Sequence, residues 1–205
     1  MKTYFTMAVA ALLGGAFAGQ ACAHATLTSM YAPAGYVQDL EMRVTHGCKG
    51  SPVKEVHIRI PDGVMRVTVA YTRDWKVETK MRTLAKPVRG DGGNMITEVV
   101  DEIIWKEPRS PIPASGVFEG FRFHAALPDT PGAILYFKTV NVCEQGDDKY
   151  IDMPKETFDA RTPGVGSKLW KFLTASPGPA PYVILEKPSR PQYPWVMPAA
   201  PRAAP

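Results

Sequence analysis

His24 follows Ala21-Cys22-Ala23, the small-residue pattern at which export signals are cut. Lys2 supplies a positive start and Met7 to Phe17 an apolar stretch too short to span a bilayer, so residues 1–23 read as a signal peptide. Cleavage after Ala23 leaves His24 first, carrying both a free α-amine and an imidazole. The amine nitrogen and Nδ1 of such a residue close a chelate ring on one metal ion, and nitrogen donors in a planar array select copper(II). Cleavage after Ala25 would remove His24, and a lipid on Cys22 would block the amine. Ala21 and Ala23 fit the cleavage pattern better, and Gln20 fits a lipobox poorly.

The chain has four histidines, and they differ in context. His57 and His124 lie inside alternating apolar and polar runs, where a histidine is a solvent-facing strand residue. His46 instead sits in Thr45-His46-Gly47-Cys48, where a glycine lets the backbone turn and a bridged cysteine would clamp the loop. Cys48 and Cys143 remain as an isolated pair once Cys22 leaves with the signal, and outside the cytoplasm a Cys48–Cys143 disulfide is expected. A copper(I) thiolate site would need reduced cysteines at closer spacing. Glu144, Asp147 and Asp148 lack calcium-ligand spacing and read as a solvated turn. Gly92-Gly93 lacks the lysine and helix of a phosphate loop, and there is no nucleophile motif.

The elements that must hold these residues read as strands. Leu40–Val44, Val56–Ile60, Arg66–Tyr71 and Phe121–Ala125 alternate, and Thr97–Val100, Glu102–Trp105 and Ile134–Val140 extend the count to about seven to nine strands. Pro33-Ala34-Gly35, Lys49-Gly50-Ser51-Pro52, Pro61-Asp62-Gly63, Asp91-Gly92-Gly93-Asn94 and Pro128-Asp129-Thr130-Pro131-Gly132 punctuate them. No long stretch keeps a helical period. The expected fold is all-β, an antiparallel two-sheet β-sandwich over residues 24–174, with a barrel as the alternative. Nearly half of the 20 prolines follow Ser176, so residues 175–205 read as a proline-rich, disordered tail, with Tyr182–Leu185 its one short apolar run.

After the signal no segment is long and apolar enough to cross a membrane. The formal net charge of +4 comes from scattered residues rather than a basic stripe, which argues against a nucleic-acid partner.

Several segments resemble the YcnI-like copper-binding domains of exported bacterial proteins. They are His24-Ala25-Thr26-Leu27, Pro33-Ala34-Gly35, Arg43 to Pro52, Val56 to Val64, Trp75 to Thr79, Leu127 to Gly132, Leu135-Tyr136-Phe137 and Cys143-Glu144-Gln145-Gly146. The likeness covers roughly residues 24 to 155. The resemblance implies a β-sandwich that binds copper(II) through its N-terminal histidine, a single-histidine brace, helped by a glutamate and a tryptophan. At the glutamate's place this chain has His46 and Gly47, so His46 is the candidate replacement ligand. At the tryptophan's place it has Tyr150, the candidate wall of the site. Trp75 also falls in a matching segment, but a core aromatic is the better reading.

The expectation is an exported copper(II)-handling protein, periplasmic or extracellular, a chaperone or store with another envelope copper protein as partner. Two other classes compete. A copper oxygenase would use the same histidine-led site and consume reductant in an oxygen-dependent way. A metal-free envelope module would bind a partner through the proline-rich tail.

Overall fold

The computed structural model describes residues 24–90, 93–106 and 108–192. The signal peptide read at residues 1–23, part of the Asp91–Asn94 turn and the last part of the proline-rich segment lie outside the described residues. Twelve strands and one helix occur among those described.

Strand alternation decides the layers. In β3 (Val37–Val44), Leu40, Met42 and Val44 are buried while the residues between them are not, and β8 (Glu119–Ala126) buries Phe121, Phe123 and Ala125 in the same way. β3 and β8 pair antiparallel from Val37↔Ala126 to Val44↔Glu119, flanked by β1 (Thr26–Leu27) and β5 (Met65–Val69). The opposing sheet runs β11-β10-β4-β7-β6, with β4 (Val53–Arg59), β6 (Lys76–Arg89), β7 (Met95–Lys106), β10 (Thr139–Cys143) and β11 (Asp147–Tyr150). Val56, Ile58, Ile103 and Trp105 of this sheet form one buried cluster with Met42, Val44, Phe121 and Phe123 of the other. Trp75 joins that core edge-on to Phe121 at 5.1 Å, as expected of a packing aromatic. The all-β sandwich is therefore present.

The sheet plan differs from the expectation in one respect. A third sheet, β2-β12-β9, is built from β2 (Tyr31–Pro33), β9 (Ile134–Tyr136) and β12 (Tyr182–Glu186), and β12 runs parallel to β2. The reading of residues 175–205 as a disordered tail is thereby corrected over residues 175–192, the described part of that range. Val183 and Leu185 are buried to within 1% of complete, and three backbone ladder positions on each side hold the strand. Apolar burial of Tyr182–Leu185 outweighs the proline-rich composition around it. A helix, α1 (Val165–Ala175), precedes the strand and buries Leu169, where the sequence reading expected no long helix. Its apolar residues Val165, Leu169, Phe172 and Leu173 do recur at helical spacing, but over only eleven residues, with Gly166 near the start and prolines close on both sides.

Other boundaries moved for local reasons. Thr97–Val100 and Glu102–Trp105 are one strand, β7, and Ile134–Val140 is two, broken at Phe137-Lys138. β6 was missed as a strand because it is an edge strand, exposed for most of its 14 residues, and its alternating side chains from Lys76 to Thr83 are charged residues and threonines with only Val77 and Met81 apolar.

Candidate metal centre

His24 precedes β1, where Ala25 and Leu27 turn inward and Thr26 outward. Pairing of Thr26 with Arg43 and Leu27 with Met42 ties this edge to β3, and the Thr28 amide donates to the Glu41 carbonyl at 2.9 Å. His24 is thus anchored through Thr26, Leu27 and Thr28 just after it.

His46 lies in the loop between β3 and β4. The Gly47 amide donates to the Ala114 carbonyl at 3.1 Å, and a Cβ on Gly47 would lie 1.9 Å from the Ser51 carbonyl oxygen. Glycine is required there because another backbone segment passes too close for a side chain. The sharp turn read from the sequence is carried instead by Lys49 and Gly50, whose φ angles are 48° and 90°. Cys48 and Cys143 form the expected disulfide, joining the loop after β3 to the end of β10.

Tyr150 closes β11 and is buried. Its ring meets that of His24 edge-on at 5.8 Å, and its hydroxyl lies 3.4 Å from His46 Nε2. His46 Nδ1 is 2.8 Å from the Gly47 carbonyl oxygen, so Nδ1–H donates there and Nε2 keeps its lone pair towards Tyr150. Donation of the second ring N–H to a backbone carbonyl is the arrangement metal-binding histidines use to fix their tautomer. Asp148, read as part of a solvated turn, reaches to 4.0 Å from His46 Nδ1. Burial, reinforced by the nearby His46, lowers the pKa of His24 below the ordinary histidine value, which favours its neutral, lone-pair-bearing form.

The structure brings His24, His46 and Tyr150 together, although they span 126 positions of the sequence. It keeps the other two histidines apart from them. His57 lies 2.9 Å from Glu55 and 3.5 Å from Glu102, and His124 lies 2.7 Å from Asp39, each bonded to acidic neighbours on a strand face. Among the described residues no group of three or more His, Cys, Asp or Glu side chains is arranged to hold a metal ion. The side-chain donors at the centre are therefore two imidazoles, and a third nitrogen would have to come from the His24 backbone.

One part of the surroundings escaped the sequence reading. His24 borders an apolar cavity of about 340 Å³ whose far wall is Leu173 of α1 and Pro179 to Tyr182. The same segment is fastened to the metal-centre strand, because the Ala180 amide donates to the Asp152 carbonyl and the Asp152 amide to Gly178, each at 2.9 Å. A Cβ at Gly178 would sit 2.2 Å from the Lys149 carbonyl oxygen, beside Tyr150. Tyr182–Leu185 was the available signal for this wall.

The fold and the centre define an immunoglobulin-like all-β sandwich with a histidine pair at one end. The structure is similar to that described as "Crystal structure of an uncharacterized protein from Nocardia farcinica reveals an immunoglobulin-like fold", with a TM-score of 0.54 and 16% identity over 80% of this chain and 99% of that one. The family model described as "Domain of unknown function (DUF1775)" matches residues 24–168, and the chain belongs to this family, the YcnI-like one. No curated protein matches.

Proposed function

We propose that this is an exported copper(II)-binding protein that holds copper, or hands it on, outside the cytoplasm. His24 supplies the α-amine and Nδ1 after cleavage at Ala23, His46 supplies Nε2, and Tyr150 walls the site. The observation that carries this reading is the contact of one buried tyrosine with both imidazoles. The donor chemistry supports it as well, since the lowered pKa of His24 favours its neutral nitrogen and neutral nitrogens suit copper(II). Copper here is cargo, and the protein's part is to present nitrogen donors in a pocket walled from water on one side.

The deciding experiment is the intact mass and N-terminal sequence of the exported protein, followed by copper(II) titration of that sample by electron paramagnetic resonance. One tight, nitrogen-rich copper on a chain beginning at His24 is the expected result. His46→Ala should then lose one nitrogen from the spectrum. A chain beginning at Thr26, a lipid on Cys22, or no tight copper on a correctly processed chain would overturn the reading. Oxygen-dependent consumption of reductant by the copper-loaded protein would move it to the oxygenase class.

A further inference from the structure

Helix α1 is held to the fold by one buried residue, Leu169. The rest of its apolar stripe, Val165, Phe172 and Leu173, is only half-buried. A cavity lies along each flank: the one of about 340 Å³ reaches Leu173, and another of about 630 Å³ reaches Val165, Gly166 and Leu169. The other side of the helix faces water, with Ser167, Lys168, Trp170, Lys171 and Thr174 all exposed. Trp75 and Trp105 are buried, whereas Trp170 leaves 69% of its surface in water. An indole is an apolar body with a single N–H, and its preferred setting is the boundary between water and an apolar phase.

Charge and size narrow what covers this face. α1 contains two lysines and no acidic residue. Among the described residues neither Lys168 nor Lys171 has a carboxylate within ion-pair distance. The matching surface is therefore negatively charged and admits an aromatic ring. Eleven residues make a helix about 16 Å long and about 10 Å wide, far smaller than the roughly 800 Å² that each partner contributes to a stable protein interface. A lipid surface asks for no such area, because a helix lying in the headgroup layer is held by its cations and by the apolar groups that enter that layer. No helix among the described residues is long and apolar enough to cross a membrane, so contact through α1 is peripheral.

We infer that the water side of α1 docks this protein on an anionic lipid surface, with Trp170 entering the headgroup layer and Lys168 and Lys171 meeting the lipid's negative charge. The docking is independent of the metal centre. The thin attachment of α1 fits this role, since a helix packed by one residue keeps apolar surface at Phe172 and Leu173 that lipid contact covers.

The test is co-sedimentation of the exported, metal-free protein with vesicles of phosphatidylglycerol mixed into phosphatidylcholine, against vesicles of phosphatidylcholine alone. Binding to the anionic vesicles, weakening as sodium chloride is raised, is expected, with little binding to the neutral ones. Lipids brominated on the acyl chain should quench the fluorescence of the bound protein, and Trp170→Phe should lose that part of the quenching. The double variant Lys168→Glu, Lys171→Glu should weaken binding at least about tenfold, and Trp170→Ser severalfold. All three side chains are exposed, so the melting temperature should stay unchanged in each variant. The inference is overturned if the protein ignores both vesicles, as a face built for a protein partner would. It is overturned equally if neutral and anionic vesicles bind alike, if the Trp170 quenching is absent, or if the variants bind like the parent.

Discussion

At the scale of single residues, Gly47 and Tyr150 do more for the centre than their sequence context suggests. Because the Ser51 carbonyl would sit 1.9 Å from a Cβ at position 47, Gly47→Ala must displace backbone, and overpacking of this kind costs on the order of 1–3 kcal/mol. Urea unfolding should show that loss, and copper titration of the folded fraction should show weaker binding because His46 moves with the loop. Tyr150→Phe keeps the ring against His24 but deletes the hydroxyl beside His46 Nε2; a loss of up to about tenfold in copper affinity is expected.

His24 makes a pH prediction at the same scale. Its folded pKa is lowered by burial and by His46, so the folded chain resists protonating it more than the unfolded chain does. The resulting loss of stability begins as pH falls through the unfolded value of about 6.5 and is complete below the folded value. An NMR titration of the metal-free protein should place the His24 midpoint below 6.5, and the adjacent α-ammonium of the processed chain lowers it further. A midpoint above 6.5 would contradict the burial of this ring.

Among the elements, β12 and the disulfide deserve separate tests because they secure opposite sides of the site. Leu185 is fully packed beneath the β2-β12-β9 sheet, and Leu185→Ala should cost about 2–5 kcal/mol in chemical denaturation. A solvated tail would show no change on that substitution. The Cys48–Cys143 bridge spans 95 positions, and replacing both cysteines with alanine should cost about 4 kcal/mol in the chain-entropy treatment. Since Cys48 lies two residues after His46 in the same loop, the same double variant should also bind copper less tightly. A stability loss without an affinity loss would separate the clamp from the metal centre.

The strands also show where sequence legibility stops. Regular alternation in β3, β4 and β8 marked them plainly, because each has one face in the core and one outside. β6 and α1 are the harder cases, since β6 buries no residue fully and α1 keeps its apolar stripe for only eleven residues. The three members of the third sheet are so short that periodicity had little to act on.

For the whole molecule, copper binding and folding are linked if the site exists only in the folded chain. At a free copper concentration a hundredfold above the dissociation constant, that linkage adds about 2.7 kcal/mol of stability. Thermal melts with and without copper should therefore separate, a chelator should bring them together, and His46→Ala should shrink the gap. Equal melting temperatures would show that copper does not favour the native state.

The amino-acid sequence by itself determined the sandwich class, the disulfide and the family, because these rest on local alternation, cysteine count and short segments in order. His24 and His46 were singled out by their neighbours along the chain, the apparent cleavage pattern before one and the Gly47-Cys48 pair after the other. Only the tertiary structure decided that the two imidazoles meet across Tyr150, that Gly47 is required by a passing backbone, and that the proline-rich end supplies a core strand and a cavity wall. Each of these depends on segments remote in sequence brought into contact by strand pairing and core burial, and no local pattern encodes such an approach.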